Sequence, residues 1–211
     1  MSKLFLTSYF TCVANLFPDF AGGECAGKKV IFIPTASLPD KFPFYVGADR
    51  KALQKLGMAV EDLEITNLSN EEIAKSISSA DYVFVSGGNV FFLLQELKRK
   101  GVDKMIIEHI NNGKLYIGSS AGSAILSKDI GYIRYMDSPD AAPDLNGSFS
   151  ALSVVDFYIV PHLNHFLFKK AAAKTVKEFS ETLDIRAISN NQVITVNGDK
   201  VETLTAKGNQ K

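Results

Sequence analysis

The sequence predicts an α/β domain built on a mainly parallel sheet. Two observations carry that expectation. Strand-like and helix-like patterns alternate along residues 28–128, the order that strand–helix–strand crossovers require. The strand-like segments are also continuously apolar, as strands covered by helices on both faces should be. At 211 residues the chain is read as one domain, 1–211, with a core ample for independent folding.

The elements follow in order. The stretch MSKLFLTSYFTCVANLFPDF (1–20) reads as a first strand and helix, because Thr7, Ser8, Thr11 and Asn15 break its apolar runs. No convincing cleavage site follows it, so a signal peptide is not expected. KKVIFIPTA (28–36) reads as a buried strand, GADRKALQKLG (47–57) as a helix with a glycine stop, and VEDLEI (60–65) as another strand. SNEEIAKSISSA (69–80) opens on Ser69 with Glu72 three residues on, a capping-box helix start. DYVFVSGG (81–88) is β-branched and aromatic, hence a strand. Two helices are expected over 89–101 and 102–113, then the strand KLYIG (114–118) and a helix after its turn. Residues 129–152 are rich in Asp, Pro, Gly and Ser and predict a long irregular loop, a feature that often carries function. SVVDFYIVPH (153–162) reads as a strand ending in Pro161-His162, and FKKAAAKTVKEFSETLD (168–184) as a helix. Residues 186–205 suggest antiparallel strands turned at Asn197-Gly198.

Composition narrows the function classes. Formal net charge is zero, so the basic excess of a nucleic-acid binder is missing. Lys98-Arg99-Lys100 sits at a predicted helix end, where it complements the helix dipole. No apolar run approaches the ~18 residues that span a membrane. Cys12 and Cys25 make no disulfide framework and no Cys/His cluster suggests a metal, so a reduced, cytoplasmic setting without a metal is expected.

Three unusual segments end predicted strands: Ser86-Gly87-Gly88-Asn89, Gly118 to Gly122, and Pro161-His162. In open parallel sheets, ligands bind beyond the carboxyl ends of the strands. Gly118-Ser119-Ser120-Ala121-Gly122 is a G-x-S-x-G motif between a strand and a helix, the context of a nucleophile elbow. Ser120 is its centre, and Ser119 is assigned to the turn. The Gly87-Gly88 pair lets backbone approach a ligand closely. Gly88 and Ala121 are the candidate N–H donors to an oxyanion, and Gly87 and Asn89 are counted with them as oxyanion or substrate-binding residues, the plainer alternative being a strand-to-helix turn with Asn89 as the helix cap. His162 is the candidate base and His165 the reserve, while His109 is assigned an ordinary surface role in its helix. Asp129, Asp137, Asp140 and Asp144 all lie between serine and histidine, and residue physics does not choose among them as the group that orients the imidazole.

With these residues assembled, the chain resembles the dipeptidase E (aspartyl dipeptidase) family of serine peptidases, with cyanophycinases as more distant relatives. The likeness rests on SGGNVFFLLQEL, LYIGSSAGSAI and IVPHLN, and spans roughly residues 28–165. It implies a three-layer α/β/α sandwich like that of class I glutamine amidotransferases, a flavodoxin-like arrangement. It implies Ser120 as nucleophile, His162 as base, and, through YMDSP, Asp137 as the third member. Gly88 and Ala121 match its oxyanion positions, and no metal or organic cofactor is implied. The expected partner is a small peptide, with no nucleic acid or membrane, in a monomer or homodimer. An esterase or amidase on the same triad, and a non-catalytic binding protein, are the alternatives. The stretch after His162 does not match the part that receives an N-terminal aspartate in that family. Lys169 and Lys170 are the cations available for that task, although a solvated helix face also explains them.

Overall fold

The computed structural model describes residues 1–23 and 25–207. β1 (Lys3–Thr7) leads into the short helices α1 (Phe10–Val13) and α2 (Phe17–Ala21). Then come β2 (Lys29–Ile33), α3 (Phe44–Lys55), β3 (Ala59–Asp62), α4 (Asn70–Ser79) and β4 (Tyr82–Val85). They are followed by α5 (Val90–Lys100), α6 (Val102–Asn111), β5 (Leu115–Ser119) and α7 (Ala121–Ala124). The chain continues through β6 (Tyr158–Val160), α8 (Lys169–Phe179), β7 (Ile185–Ala187), β8 (Gln192–Asn197) and β9 (Lys200–Thr205).

Seven strands form one sheet in the order β3-β2-β4-β5-β1-β8-β9. The first five are parallel, and β8 and β9 continue the sheet antiparallel. Strand periodicity explains why the central strands are apolar throughout. Leu4, Leu6, Ile31, Ile33, Val83 and Val85 pack on one face with α4 to α7. Their neighbours Phe5, Val30, Phe32, Tyr82 and Phe84 pack on the other face with α1, α2 and α3. Every second residue thus meets a different helical layer, and the result is the expected α/β/α sandwich. The capping box of α4 is present: Glu72 N donates to Ser69 Oγ at 3.3 Å, and Ser69 N to Glu72 Oε2 at 2.9 Å.

The differences from expectation lie in the C-terminal half. Of 153–162 only Tyr158–Val160 is a strand, and it pairs in parallel with β7 in a separate two-stranded sheet. Ser153 has a positive φ of 53°, and Val154 N donates to Leu126 O at 2.8 Å, so the first half packs under the elbow instead of extending. The β8–β9 hairpin turns on Gly198-Asp199, one residue later than expected, with Asn197 opposite Lys200. The loop 129–152 is folded: it carries three 3₁₀ turns and an Asp129–Ser150 bridge. His109 is buried rather than at the surface. Its Nε2 lies 3.2 Å from Leu115 O, and burial pushes its pKa down to about 4.

Candidate active site

β5 ends on buried Ser119, and the chain turns at Ser120 with φ 51° and ψ −106°. Positive φ at a residue bearing a Cβ costs on the order of 1–3 kcal/mol and persists only where its surroundings over-determine it. They do so here. Ser120 N donates to Thr7 O at 2.9 Å, and Ser123 Oγ to the same oxygen at 2.8 Å. Thr7 Oγ1 donates to Gly118 O at 2.9 Å, and Tyr116 OH to Gly122 O at 2.6 Å. Ser119 Oγ donates to Asp49 Oδ2 at 2.8 Å. Asp49 is itself fully buried, and desolvation raises its pKa to about 6 against hydrogen bonds from Thr11 and Ser119 that oppose the rise.

The motif glycines have a packing reason. A Cβ on Gly118 would stand 2.5 Å from Gly122 O, and one on Gly122 would stand 2.0 Å from Val85 O. The elbow therefore presses directly on β4. Gly122→Ala is expected to lower stability by about 1–3 kcal/mol, the range of an overpacked core, and a urea titration of both proteins reads it as a lower midpoint.

His162 also has positive φ, 60°. Its N–H donates to Ser8 Oγ at 3.0 Å, and that hydroxyl donates to Ile188 O at 2.9 Å. The imidazole stacks on Phe168, with centroids 4.7 Å apart and planes inclined by 22°. Nε2 lies 2.9 Å from Ser120 Oγ, and Nδ1 lies 2.8 Å from Asn190 Oδ1. Burial pushes the His162 pKa below the usual 6.5, the Asn190 bond pulls it up, and His165 pushes it down. In the neutral ring, Nδ1–H donates to the amide oxygen, which leaves Nε2 as an acceptor for the serine hydroxyl.

The residue facing Nδ1 is thus Asn190, not Asp137. Asp137 Oδ2 accepts from Val90 N at 2.9 Å, at the start of α5. Asp129 accepts from Gly131 N, Asp140 pairs with Ser138, and the Asp144 N–H donates to Gln95, so none of these reaches the imidazole. The physical reason is topological: loop 129–152 packs over α5, whereas the β7–β8 turn packs beside His162. Asn190 sits in Ser189-Asn190-Asn191, which reads in sequence as an ordinary polar turn, so nothing local marks it. His165 lines the same cavity, its ring centroid 6.1 Å from that of His162. Lys169 and Lys170 are exposed on α8 and do not line the cavity.

The other expected residues cluster at Ser120. A Cβ on Gly87 would stand 3.2 Å from Ser120 Cβ. Gly88 has φ 131°, and a Cβ there would lie 2.1 Å from Ala36 O, so only glycine fits. Among the described residues neither the Gly88 nor the Ala121 N–H has an acceptor, and both residues line the cavity. Asn89 caps α5: Oδ1 accepts from Phe91 N and Phe92 N at 3.0 Å each, while Nδ2 donates to Ser138 O at 2.9 Å. The cavity has a volume of about 410 Å³. That is near the small end of ligand sites and suits a short peptide.

A serine held on a strained strand–helix turn with its hydroxyl 2.9 Å from the Nε2 of a half-buried histidine, at the carboxyl edge of a parallel sheet, defines a serine-hydrolase site on an α/β sandwich. Comparison with known proteins agrees. The model of Peptidase family S51 matches residues 1–204, and the chain belongs to that family. An uncharacterized peptidase of Listeria innocua is 47% identical over 208 residues, 99% of each chain. A crystal structure of a candidate peptidase E protein from Listeria monocytogenes EGD-e superposes with a TM-score of 0.93 at 46% identity, covering 98% of this chain and 100% of that one. Peptidase E of Shewanella denitrificans is 36% identical over 140 residues, 66% of this chain and 55% of that protein. Among the described residues no helix is long and apolar enough to cross a membrane.

Proposed function

We propose that this serine peptidase hydrolyses short peptides through an acyl-enzyme, with Ser120 as nucleophile, His162 as general base and acid, and Asn190 as the residue that orients the imidazole. The observation carrying this reading is the 2.9 Å contact between Ser120 Oγ and His162 Nε2 at a serine in a strained conformation. Ser120 Oγ attacks the scissile carbonyl carbon while its proton passes to Nε2. The carbonyl oxygen takes the developing negative charge and accepts from the Gly88 and Ala121 N–H groups. Collapse breaks the C–N bond, and the proton on Nε2 goes to the leaving amine. Water then repeats the sequence on the ester, with His162 again taking and returning a proton. Asn190 fixes the tautomer but adds no negative charge. The ring therefore works as a neutral base, in keeping with its lowered pKa.

A screen of a dipeptide library tests the function. Hydrolysis by the native protein and its loss in Ser120→Ala are expected; undiminished hydrolysis by the variant would refute the mechanism. The pH profile follows from the sign of the shift. The active His162 is the neutral form, and its pKa lies below 6.5. The acid limb of kcat/KM is therefore expected below pH 6.5, with no loss of activity between pH 8 and pH 7 from this group. A limb centred above 7 would contradict an imidazole depressed by burial.

A further inference from the structure

We propose that Asp49 is a positioning residue of the reaction, its ionised carboxylate holding the nucleophile elbow through Ser119 and the support of the base through Thr11. This inference rests on the acyl-enzyme reading above. Side-chain alternation along β5 sets the geometry. Leu115 and Ile117 pack on the face covered by α1, α2 and α3, and Tyr116 packs on the other. Ser119, two residues beyond Ile117, therefore points toward the α3 layer, and Asp49 lies on α3. Ser120, His162 and Asn190 all lie outside that layer, so Asp49 acts on them only through what it bonds.

Asp49 stands in a site made of donors. Oδ1 accepts from Thr11 N at 3.0 Å and from Thr11 Oγ1 at 2.7 Å, and Oδ2 accepts from Ser119 Oγ at 2.8 Å. Ser119 Oγ itself accepts from Phe10 N at 3.4 Å. A protonated carboxyl would add a donor where every neighbour already donates, and Ser119 would lose its acceptor. Both bonded segments lead to reacting groups. Ser119 precedes the nucleophile. Thr11 stands three residues after Ser8, whose hydroxyl accepts the His162 N–H. Ser8 and Ser119 extend from neighbouring strands, since Thr7 of β1 pairs with Ser119 of β5. One carboxylate thus braces the two strand ends on which the distance from Ser120 to His162 depends.

The arrangement costs stability, which points to function. Asp49 is fully buried and has no cationic partner among the described residues; Arg50, next in the chain, pairs with Asp62 instead. A buried charge without a counter-charge is unfavourable, and an apolar residue would fill the space at less cost. Desolvation raises the Asp49 pKa to about 6, while the bonds from Thr11 and Ser119 lower it. The titratable groups facing it carry no positive charge. From the β1–α1 side these are Tyr9 and Cys12, both raised first by burial and then by Asp49. From α3 it is Tyr45, raised by burial and Asp40 and, less, by Asp137 and Asp49. The braced, ionised form is therefore present above pH 6 and is lost as pH falls through about 6.

The test uses Asp49→Asn, Ser119→Ala and the double variant, assayed well below their unfolding midpoints on a peptide the native protein hydrolyses. A small displacement far from the chemistry can cost about 100-fold in rate. Each single variant is therefore expected to lower kcat by about 10- to 100-fold, with KM within about threefold of native. Labelling of Ser120 by a fluorophosphonate probe should slow by a similar factor. The losses should not multiply in the double variant, because the two residues share one bond. In the native protein the acid limb of kcat/KM should be steeper than a single titration, since His162 and Asp49 both contribute; Asp49→Asn should leave the His162 limb alone. A purely structural residue would lower the urea midpoint and leave kcat and the shape of that limb unchanged. Native kcat in either folded single variant, or multiplying losses in the double variant, would overturn the proposal. So would a native limb that a single group fits, a measurement that needs no variant to fold. Labelling of native Ser120 with undiminished labelling and turnover in the variants overturns the positioning role alone. No labelling and no hydrolysis of any peptide by the native protein overturns the acyl-enzyme reading and this inference with it.

Discussion

Ser120→Ala is expected to reduce kcat on any accepted peptide by on the order of 10⁴- to 10⁶-fold, the loss seen when a nucleophile that works as a unit with its base is removed. The fold should survive. Ser120 Oγ is bonded to His162, whereas the bonds that hold the elbow come from the Ser120 backbone, Thr7, Tyr116 and Ser123. Removing the hydroxyl therefore deletes the reacting atom without deleting the turn. Single-turnover assays on purified protein would measure the loss, and a circular dichroism melt would report the retained fold. A loss of less than tenfold would mean that another group attacks the carbonyl.

Asn190 carries the second large effect. Asn190→Leu leaves His162 Nδ1 without its acceptor, and a drop in kcat of about 10²- to 10⁴-fold is expected from the freed ring and the mixed tautomer. Asn190→Asp separates orientation from charge. An aspartate at the same position would keep the acceptor 2.8 Å from Nδ1 and add a negative charge. A carboxylate at that range raises a partner pKa by about 1–3 units, so the acid limb of kcat/KM should move to higher pH by a similar amount. The native histidine titrates low because burial dominates and its partner is uncharged. The variant would therefore need a higher pH than the native protein to keep the ring neutral. An unchanged limb in folded Asn190→Asp would show that this position does not control the imidazole.

Much of the architecture is legible in the chain because local chemistry enforces it. The alternation of apolar strands with amphipathic helices dictates the parallel sheet, since each central strand must be apolar on both faces. Ser69 and Glu72 mark a helix start that the structure reproduces atom for atom. The elbow is legible for the same reason. Gly118 and Gly122 are fixed by contacts within one strand–turn–helix unit and its neighbour β4, so the motif and the geometry share a cause.

The partner of His162 is not legible in that way. Four aspartates stand between serine and histidine in the chain, yet Asn190 faces the ring from a turn 28 residues beyond His162. That turn reaches the ring because β6 and β7 form their own small sheet and Ile188 N donates to Val160 O at 3.0 Å. Asp137, which the sequence offers as the orienting acid, lies instead on the β4 side of the cavity.

The sequence by itself determined the α/β class with its mainly parallel sheet and the turn that carries Ser120, and it narrowed the base to His162 with His165 in reserve. The first two follow from periodicity and from small residues at fixed spacing, which act over a few neighbouring positions. Only the tertiary structure decided which group orients the imidazole and which charges face the substrate. Those depend on how two distant turns pack across the sheet edge, and no spacing along the chain encodes a contact that long-range packing creates.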